Sequence, residues 1–198
     1  MAMLLCVGLK LQAADKSNAV LTPHAGDLVI ASGEKLVPFA SQQFLTAPYT
    51  MLYFGAGWCS DCRKFSPKLI ASYNAQTSSQ RGYEVLYISQ DRTEAEMRQF
   101  IMKEGMRWPA VAYDKVAGAA DLNRYHPNKS IPWLAVIDRN GTVLLHSESD
   151  KDAADVLKQL ETKIEAGKPA GGFHLSGVRF LMSLRVSRRG LIFDISIA

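Results

Sequence analysis

Cys59 and Cys62 are the residues with the most chemistry to offer, and they stand two residues apart in Trp58-Cys59-Ser60-Asp61-Cys62. Thiols at this spacing can exchange with a disulfide or supply half of a zinc site. A structural staple usually closes a longer loop, because the chain entropy it removes grows with loop length. Exchange requires an exposed thiolate as nucleophile and a second thiol close enough to resolve the mixed disulfide. A helix entrance favours the first, since its unpaired N–H groups and dipole stabilise negative charge. With Cys59 at that entrance, Cys62 lies about one turn inside. Cys59 is therefore expected to attack and Cys62 to resolve. A zinc site would need further ligands, for which His126 and His146 are the candidates. Zinc pairs favour knuckle turns over the start of a helix behind a buried strand, so no metal is expected. Two unreactive buried cysteines are the plain alternative. Between the thiols, Asp61 stabilises a first helical turn. Its charge beside the Cys59 sulfur should also oppose thiolate formation, so Ser60 and Asp61 are read as tuning residues.

The elements that must hold this pair follow from the flanking pattern. Tyr49 to Phe54 is rich in aromatics and apolar residues, which suits a strand buried on both faces, and Gly55-Ala56-Gly57 ends it. From Ser60 the spacing of Phe65, Leu69, Ile70 and Tyr73 is helical, and Gly82 closes that segment. Tyr83 to Ser89 reads as the next strand. Thr93 with Glu96 forms a capping box for a helix carrying Met97, Phe100 and Ile101, stopped by Gly105. Ala117 to Tyr125 is a short helical candidate. Trp133 to Asp138 and Thr142 to His146 flank an Asn-Gly turn, and Ala153 to Ile164 is a last amphipathic helix. Upstream, Leu28 to Ala31 is a short strand broken by Ser32-Gly33. The order β-α-β-α-(α)-β-β-α requires parallel strands with helical crossovers plus an antiparallel edge. This is an α/β class with a central mixed β-sheet and helices on both faces.

The chain has 198 residues, 47% of them hydrophobic and 21% charged, as in one globular domain. No run approaches the roughly 20 apolar residues of a membrane span. The net charge of +4 resides wholly after Gly167, where five basic residues face one acid, and the body is balanced. That distribution argues against nucleic acid as a partner. Residues 1–24 form an arm or signal-like segment: Met3 to Leu9, containing Cys6, is apolar and Gln12-Ala13-Ala14 resembles a cleavage site, yet Lys10 interrupts it and a positive start is missing. The compartment is exported or periplasmic if residues 1–14 are a truncated signal, and cytoplasmic otherwise.

Tyr53-Phe54-Gly55-Ala56-Gly57-Trp58-Cys59-Ser60-Asp61-Cys62-Arg63 resembles the active-site segment of the thioredoxin superfamily. Pro67, five residues after Cys62, is similar to the proline that kinks the thioredoxin active-site helix. Ser130-Ile131-Pro132 resembles the loop with a cis-proline facing the CxxC, and Asp138 to Gly141 resembles the hairpin that follows. Met106-Arg107-Trp108-Pro109-Ala110-Val111 resembles a stretch of the tryparedoxin and nucleoredoxin branch. The likeness runs from about Leu36 to Ser149.

That resemblance implies a thioredoxin fold over residues 25–166 and a redox-active Cys59–Cys62 disulfide with no bound cofactor. It implies a cis Pro132 that leaves Ile131 to pair with an extended substrate, and a Trp58 that flanks the nucleophile. A core packing role is the alternative for Trp58, and packing is expected of Trp108 and Trp133. The implied activity is reduction of protein disulfides, with an upstream thiol reductant as second partner and a monomeric chain. An exported oxidant or isomerase, or a client-binding module without turnover, are the competing readings. Thioredoxin carries a buried aspartate six residues before its first cysteine, where this chain has Tyr53, so no proton acceptor for Cys62 is assigned. Residues 167–198 fall outside the resemblance. Their alternation (Val178, Phe180, Met182, Leu184, Val186, then Phe193, Ile195, Ile197) suits an added hairpin or a basic membrane-surface segment, but a basic, poorly ordered tail is expected.

Overall fold

A computed structural model gives the fold and describes residues 17–75, 77, 82–149, 151–167, 183–187 and 190–194. Cys6, the signal-like stretch to Ala14 and most of the tail lie outside them. The described residues fall into two units dividing near Ile164.

In the first unit, β1 (Leu28–Ser32) and β2 (Lys35–Pro38) precede a short helix α1 (Gln42–Leu45). Then come β3 (Tyr49–Gly55), α2 (Ser60–Ala75), β4 (Tyr83–Ser89), α3 (Glu94–Glu104) and β5 (Ala110–Val111). Two one-turn helices, α4 (Tyr113–Val116) and α5 (Ala120–Asn123), lead to β6 (Trp133–Asp138), β7 (Val143–His146) and α6 (Ala153–Gly167). The seven strands form one mixed sheet in the order β2-β1-β5-β4-β3-β6-β7. β3 runs parallel to β4 over seven register pairs from Tyr49↔Tyr83 to Gly55↔Ser89, and antiparallel to β6 from Tyr49↔Asp138 to Phe54↔Trp133.

Alternation along β3 distributes its side chains between two cores. Met51 and Tyr53 join Cys62, Phe65, Leu69 and Tyr73 of α2 and the apolar faces of α3 and α6. Leu52 and Phe54 point the other way, against Phe44 of α1, Leu122 of α5 and Leu21. Both faces are thus covered, which is why β3 and β4 read as unbroken apolar runs. In α3, Thr93 Oγ1 accepts the Glu96 N–H at 3.2 Å, and Gly105 ends the helix with a φ of 73°.

Several expectations need correction. Ser32-Gly33 does not merely break a strand: Gly33, with a φ of 58°, turns the chain into β2, so Ser32 pairs Lys35. β2 is half exposed and too weakly patterned to stand out. The helix expected over Ala117–Tyr125 is reduced to the single turn α5, and a separate turn, α4, ends before it at Val116, with Gly118 and Ala119 between the two. β5, two residues long, is a strand that periodicity cannot reveal. The boundary at residue 25 falls too late. Asn18 is fully buried, its Oδ1 accepts the N–H groups of Val20 and Leu21 at 2.9 and 3.0 Å, and its backbone N–H donates to the Leu45 carbonyl at 2.7 Å. Leu21 sits in the second core.

The Asn140-Gly141 turn leans on this same segment. Gly141 has a φ of 83°, and a Cβ there would come within 2.5 Å of Val20 Cγ2 and 2.9 Å of Tyr125 Oη. A Gly141→Ala chain is therefore expected to lose about 2 kcal/mol of unfolding free energy, from backbone conformation and crowding together. Urea midpoints matching wild type would contradict this.

In the second unit, β8 (Ser183–Ser187) and β9 (Gly190–Asp194) pair antiparallel from Ser183↔Asp194 to Ser187↔Gly190. The described part of the tail is thus a hairpin, which was the lesser of the readings taken from its alternation.

Candidate functional site

The loop after β3 delivers Cys59 to the mouth of α2. The Cys59 carbonyl accepts the first helical bond, from the Arg63 N–H at 3.2 Å, and its Sγ accepts the Cys62 N–H at 3.1 Å. The sulfur therefore occupies the place of a helix-capping oxygen, which is where a helix best stabilises an anion. Cys59 and Cys62 are free thiols, 8% and 0% exposed. Cys59, the residue expected to attack, is thus less open than exchange requires, with its sulfur turned back onto the Cys62 N–H of the first turn. The Ile131 carbonyl also stands 3.5 Å from that sulfur, and the Ile131–Pro132 bond is cis. The Ile131 N–H finds no partner among the described residues.

Cys62 lies on the buried face of α2. Burial above all, and next the hydrogen bond to the Cys59 sulfur, push its thiol well above the usual range, while the Ala56 backbone and the Tyr53 hydroxyl act in the opposite sense. Tyr53 is buried in the position of the missing acid, with its Oη 2.9 Å from Ser66 Oγ. Ser66 in turn donates to the Cys62 carbonyl at 2.9 Å. Burial raises Tyr53 as well. A thiol whose folded value exceeds its unfolded value of about 8.5 contributes stability that is complete below that pH and lost as the pH climbs toward the folded value. The reduced chain should accordingly lose stability between about pH 8.5 and 10, below the range where tyrosines add their own effect. Denaturant midpoints of wild type and Cys62→Ala across that window check this. The two are expected to diverge, with wild type falling faster, and parallel curves would contradict it.

The other expected residues fall around the pair. Trp58 is 49% exposed, so it is no core tryptophan. Its indole N–H donates to the Gln90 carbonyl at 3.1 Å, and the Arg92 guanidinium lies 5.5 Å from the ring centre. Trp108 and Trp133 are buried, as packing residues are. Ser60 opens α2, and Pro67 sits inside it, where it withholds the N–H that the Arg63 carbonyl would have met. Asp61 is answered by Lys64 at 2.9 Å, which holds its carboxyl below the usual range, so its charge does not act on Cys59 alone. His126 stacks on Phe54 with centroids 4.6 Å apart, and its Nε2 is 2.7 Å from the Ser130 carbonyl. It braces the loop that carries Ile131. His146 places its Nδ1 2.7 Å from the Ser147 carbonyl. Among the described residues no group of three or more His, Cys, Asp or Glu side chains converges as a metal site would.

Sequence reasoning missed Asp91. This carboxylate, 8% exposed, accepts the Gly57 N–H at 2.8 Å on one oxygen. Ser89 Oγ donates to the other at 2.8 Å, with Tyr87 Oη 3.1 Å away. Asp91 thereby ties the end of β4 to the loop presenting Trp58 and Cys59. Arg63 fastens the same loop from α2, donating to the Gly57 carbonyl at 2.7 Å. The available signal was a polar Ser89-Gln90-Asp91 closing and following a wholly buried strand.

Comparison with known proteins agrees with this architecture. Residues 48–143 match a family model described as thioredoxin-like. Nucleoredoxin from Bos taurus is 32% identical over 120 residues, 61% of this chain and 26% of that protein. Tryparedoxin from Trypanosoma brucei brucei is 29% identical over 127 residues, 64% of this chain and 83% of that protein. Among solved structures, tryparedoxin II from C. fasciculata superposes with a TM-score of 0.57 at 25% identity, covering 72% of this chain and 88% of that one. The chain spans about a quarter of the length of the nucleoredoxins it matches.

Proposed function

We propose that the chain reduces protein disulfides through a Cys59–Cys62 dithiol/disulfide cycle, since residues 48–143 match a thioredoxin-like family model and the chain is similar to nucleoredoxins and tryparedoxins. The observation that carries this reading is Cys59 Sγ capping α2 at 3.1 Å from the Cys62 N–H, beside the Ile131 carbonyl. In the cycle the Cys59 thiolate attacks one sulfur of the substrate disulfide, and the other leaves as a thiolate that takes up a proton. The Cys62 thiol gives up its proton and attacks the Cys59 sulfur. The second substrate thiol departs and the Cys59–Cys62 disulfide forms. A thiol reductant then returns two electrons and two protons, so no bound cofactor enters. Burial of Cys62 keeps it protonated, and thus unreactive, until a mixed disulfide forms next to it.

Two further features support the reading. Trp58 offers an exposed aromatic face fixed by Gln90 and Arg92. The unpaired Ile131 N–H can bond an extended substrate strand. The test is dithiothreitol-driven reduction of insulin by the full chain, with Cys62→Ser examined alongside. Wild type should turn over, and Cys62→Ser, reduced, freed of dithiothreitol and then mixed with insulin, should stall as a mixed disulfide that added dithiothreitol releases. No turnover by wild type, or no trapped species in the variant, would overturn the assignment.

A further inference from the structure

The charges of the body cancel overall, yet they do not cancel around Cys59. On the α6 side of the cysteine a groove of about 350 Å³ runs between α2 and the start of α6. Its floor is apolar, made by Pro132, Phe65 and Ala153. Its walls carry Lys64 and Lys68, one helical turn apart on α2, and Lys151 from the segment leading into α6. The single acid among the lining residues is Asp61, already paired with Lys64 at 2.9 Å and drawn further down by Lys151. The groove therefore retains a surplus of two positive charges in a chain whose first 166 residues are neutral. Pro132 is part of its lining, and the carbonyl of the preceding Ile131 stands 3.5 Å from Cys59 Sγ, so the groove lies beside the place where a disulfide would meet Cys59.

We propose that this groove docks an acidic segment flanking the disulfide of a protein substrate, and so selects acidic substrates; this rests on the reductase reading above. The physical case is one of fit and sign. A substrate strand bonding to Ile131 leaves the nucleophile toward Pro132 with its side chains over an apolar floor. Lysine ammonium groups on either wall then meet Asp or Glu side chains of that strand, while basic residues there are repelled. Lysines at this exposure act through long-range attraction and speed of encounter more than through tight ion pairs, so the preference should appear in second-order rates and fade with salt. Selection by sign is also economical, because Lys68 and Lys151 take no part in the sulfur chemistry.

The test uses three disulfide peptides identical except for residues flanking the cysteines, which are all Glu, all Gln or all Lys. The full chain is reduced, freed of reductant and mixed with each, and its oxidation is followed by acid quench and alkylation. The Glu peptide is expected to react about tenfold faster than the Gln peptide at low salt, with the Lys peptide slowest and the spread closing at high salt. In Lys68→Glu/Lys151→Glu the order should invert. In Lys68→Gln/Lys151→Gln the ratio of Glu to Gln rates should fall toward one, a comparison in which the Gln peptide reports on folding. Equal rates for all three in wild type, or an unchanged order in both variants, would overturn the proposal and leave the reductase reading standing. If none of the peptides oxidises the chain, both fall together.

Discussion

A Cys59→Ser chain is expected to lose disulfide-reductase turnover by about a thousandfold or more, while keeping its fold. The expectation follows from where the sulfur sits. Its Sγ caps α2 through the Cys62 N–H, and a serine oxygen can take over that structural task, since serine is a preferred capping residue. Stability should therefore change little. Chemistry cannot be transferred in the same way, because a serine hydroxyl stays protonated near neutral pH and its oxygen does not exchange with a disulfide. The remaining Cys62 is fully buried with its thiol pushed up, so it offers no substitute nucleophile. Insulin turbidity at background rate, with an unaltered far-UV spectrum and thermal midpoint, is the anticipated pair of results. Substantial turnover in this variant would assign the nucleophile elsewhere.

The second large effect belongs to a residue that touches neither sulfur. Asp91→Ala should lower unfolding free energy by about 3 kcal/mol, a fall of order 10 °C in midpoint, and reduce kcat/KM several-fold. Asp91 accepts from the Gly57 N–H and the Ser89 hydroxyl in a nearly closed environment. Alanine would strand both donors, and hydrogen bonds to a buried carboxylate are among the stronger ones, at about 1.5–3 kcal/mol each. The loss of activity has a separate origin. Gly57 is adjacent to Trp58, whose indole is pinned to Gln90 one residue before Asp91, so releasing Gly57 loosens the docking surface and the nucleophile together. Calorimetry and steady-state kinetics on the same preparation separate the two. Activity that falls with an unchanged midpoint, or a midpoint that falls with full activity, would show that one of the two roles is misassigned.

The sequence was most legible where one physical signal dominated. β3, β4 and β6 are buried on both faces, so their apolar runs marked them to within a residue. Thr93 and Gly105 bounded α3 because capping chemistry is local. The cysteine pair declared itself through spacing and through the strand-to-helix switch around it. What escaped depends on partners distant in sequence. β2 exists because Gly33 turns it onto β1, and its half-exposed residues carry no clear period. The two-residue β5 is held by Tyr87 on one side and by Leu28 and Val29 on the other. Asn18 looked like part of an arm until Leu45 was seen to accept its N–H. Asp91 is ordinary as a letter and important only because Gly57, thirty-four residues earlier, folds over it. The basic groove was hidden by the same logic, since Lys68 and Lys151 lie far apart in a chain whose body has no net charge.

β3 lies between β4 and β6 with long ladders on both sides, whereas β1 and β2 join the sheet through a single Tyr87↔Ala110 pair and two pairs to β1. The sheet thus has a thick seam and a thin one. Amide hydrogens of β3 can exchange with solvent only when the whole domain opens, while those of the β1–β2 hairpin are released by peeling at β5. The reactive loop hangs from the thick side. A chain whose hairpin has momentarily detached is thus expected to keep the β3–β4 and β3–β6 ladders from which the Cys59 loop hangs.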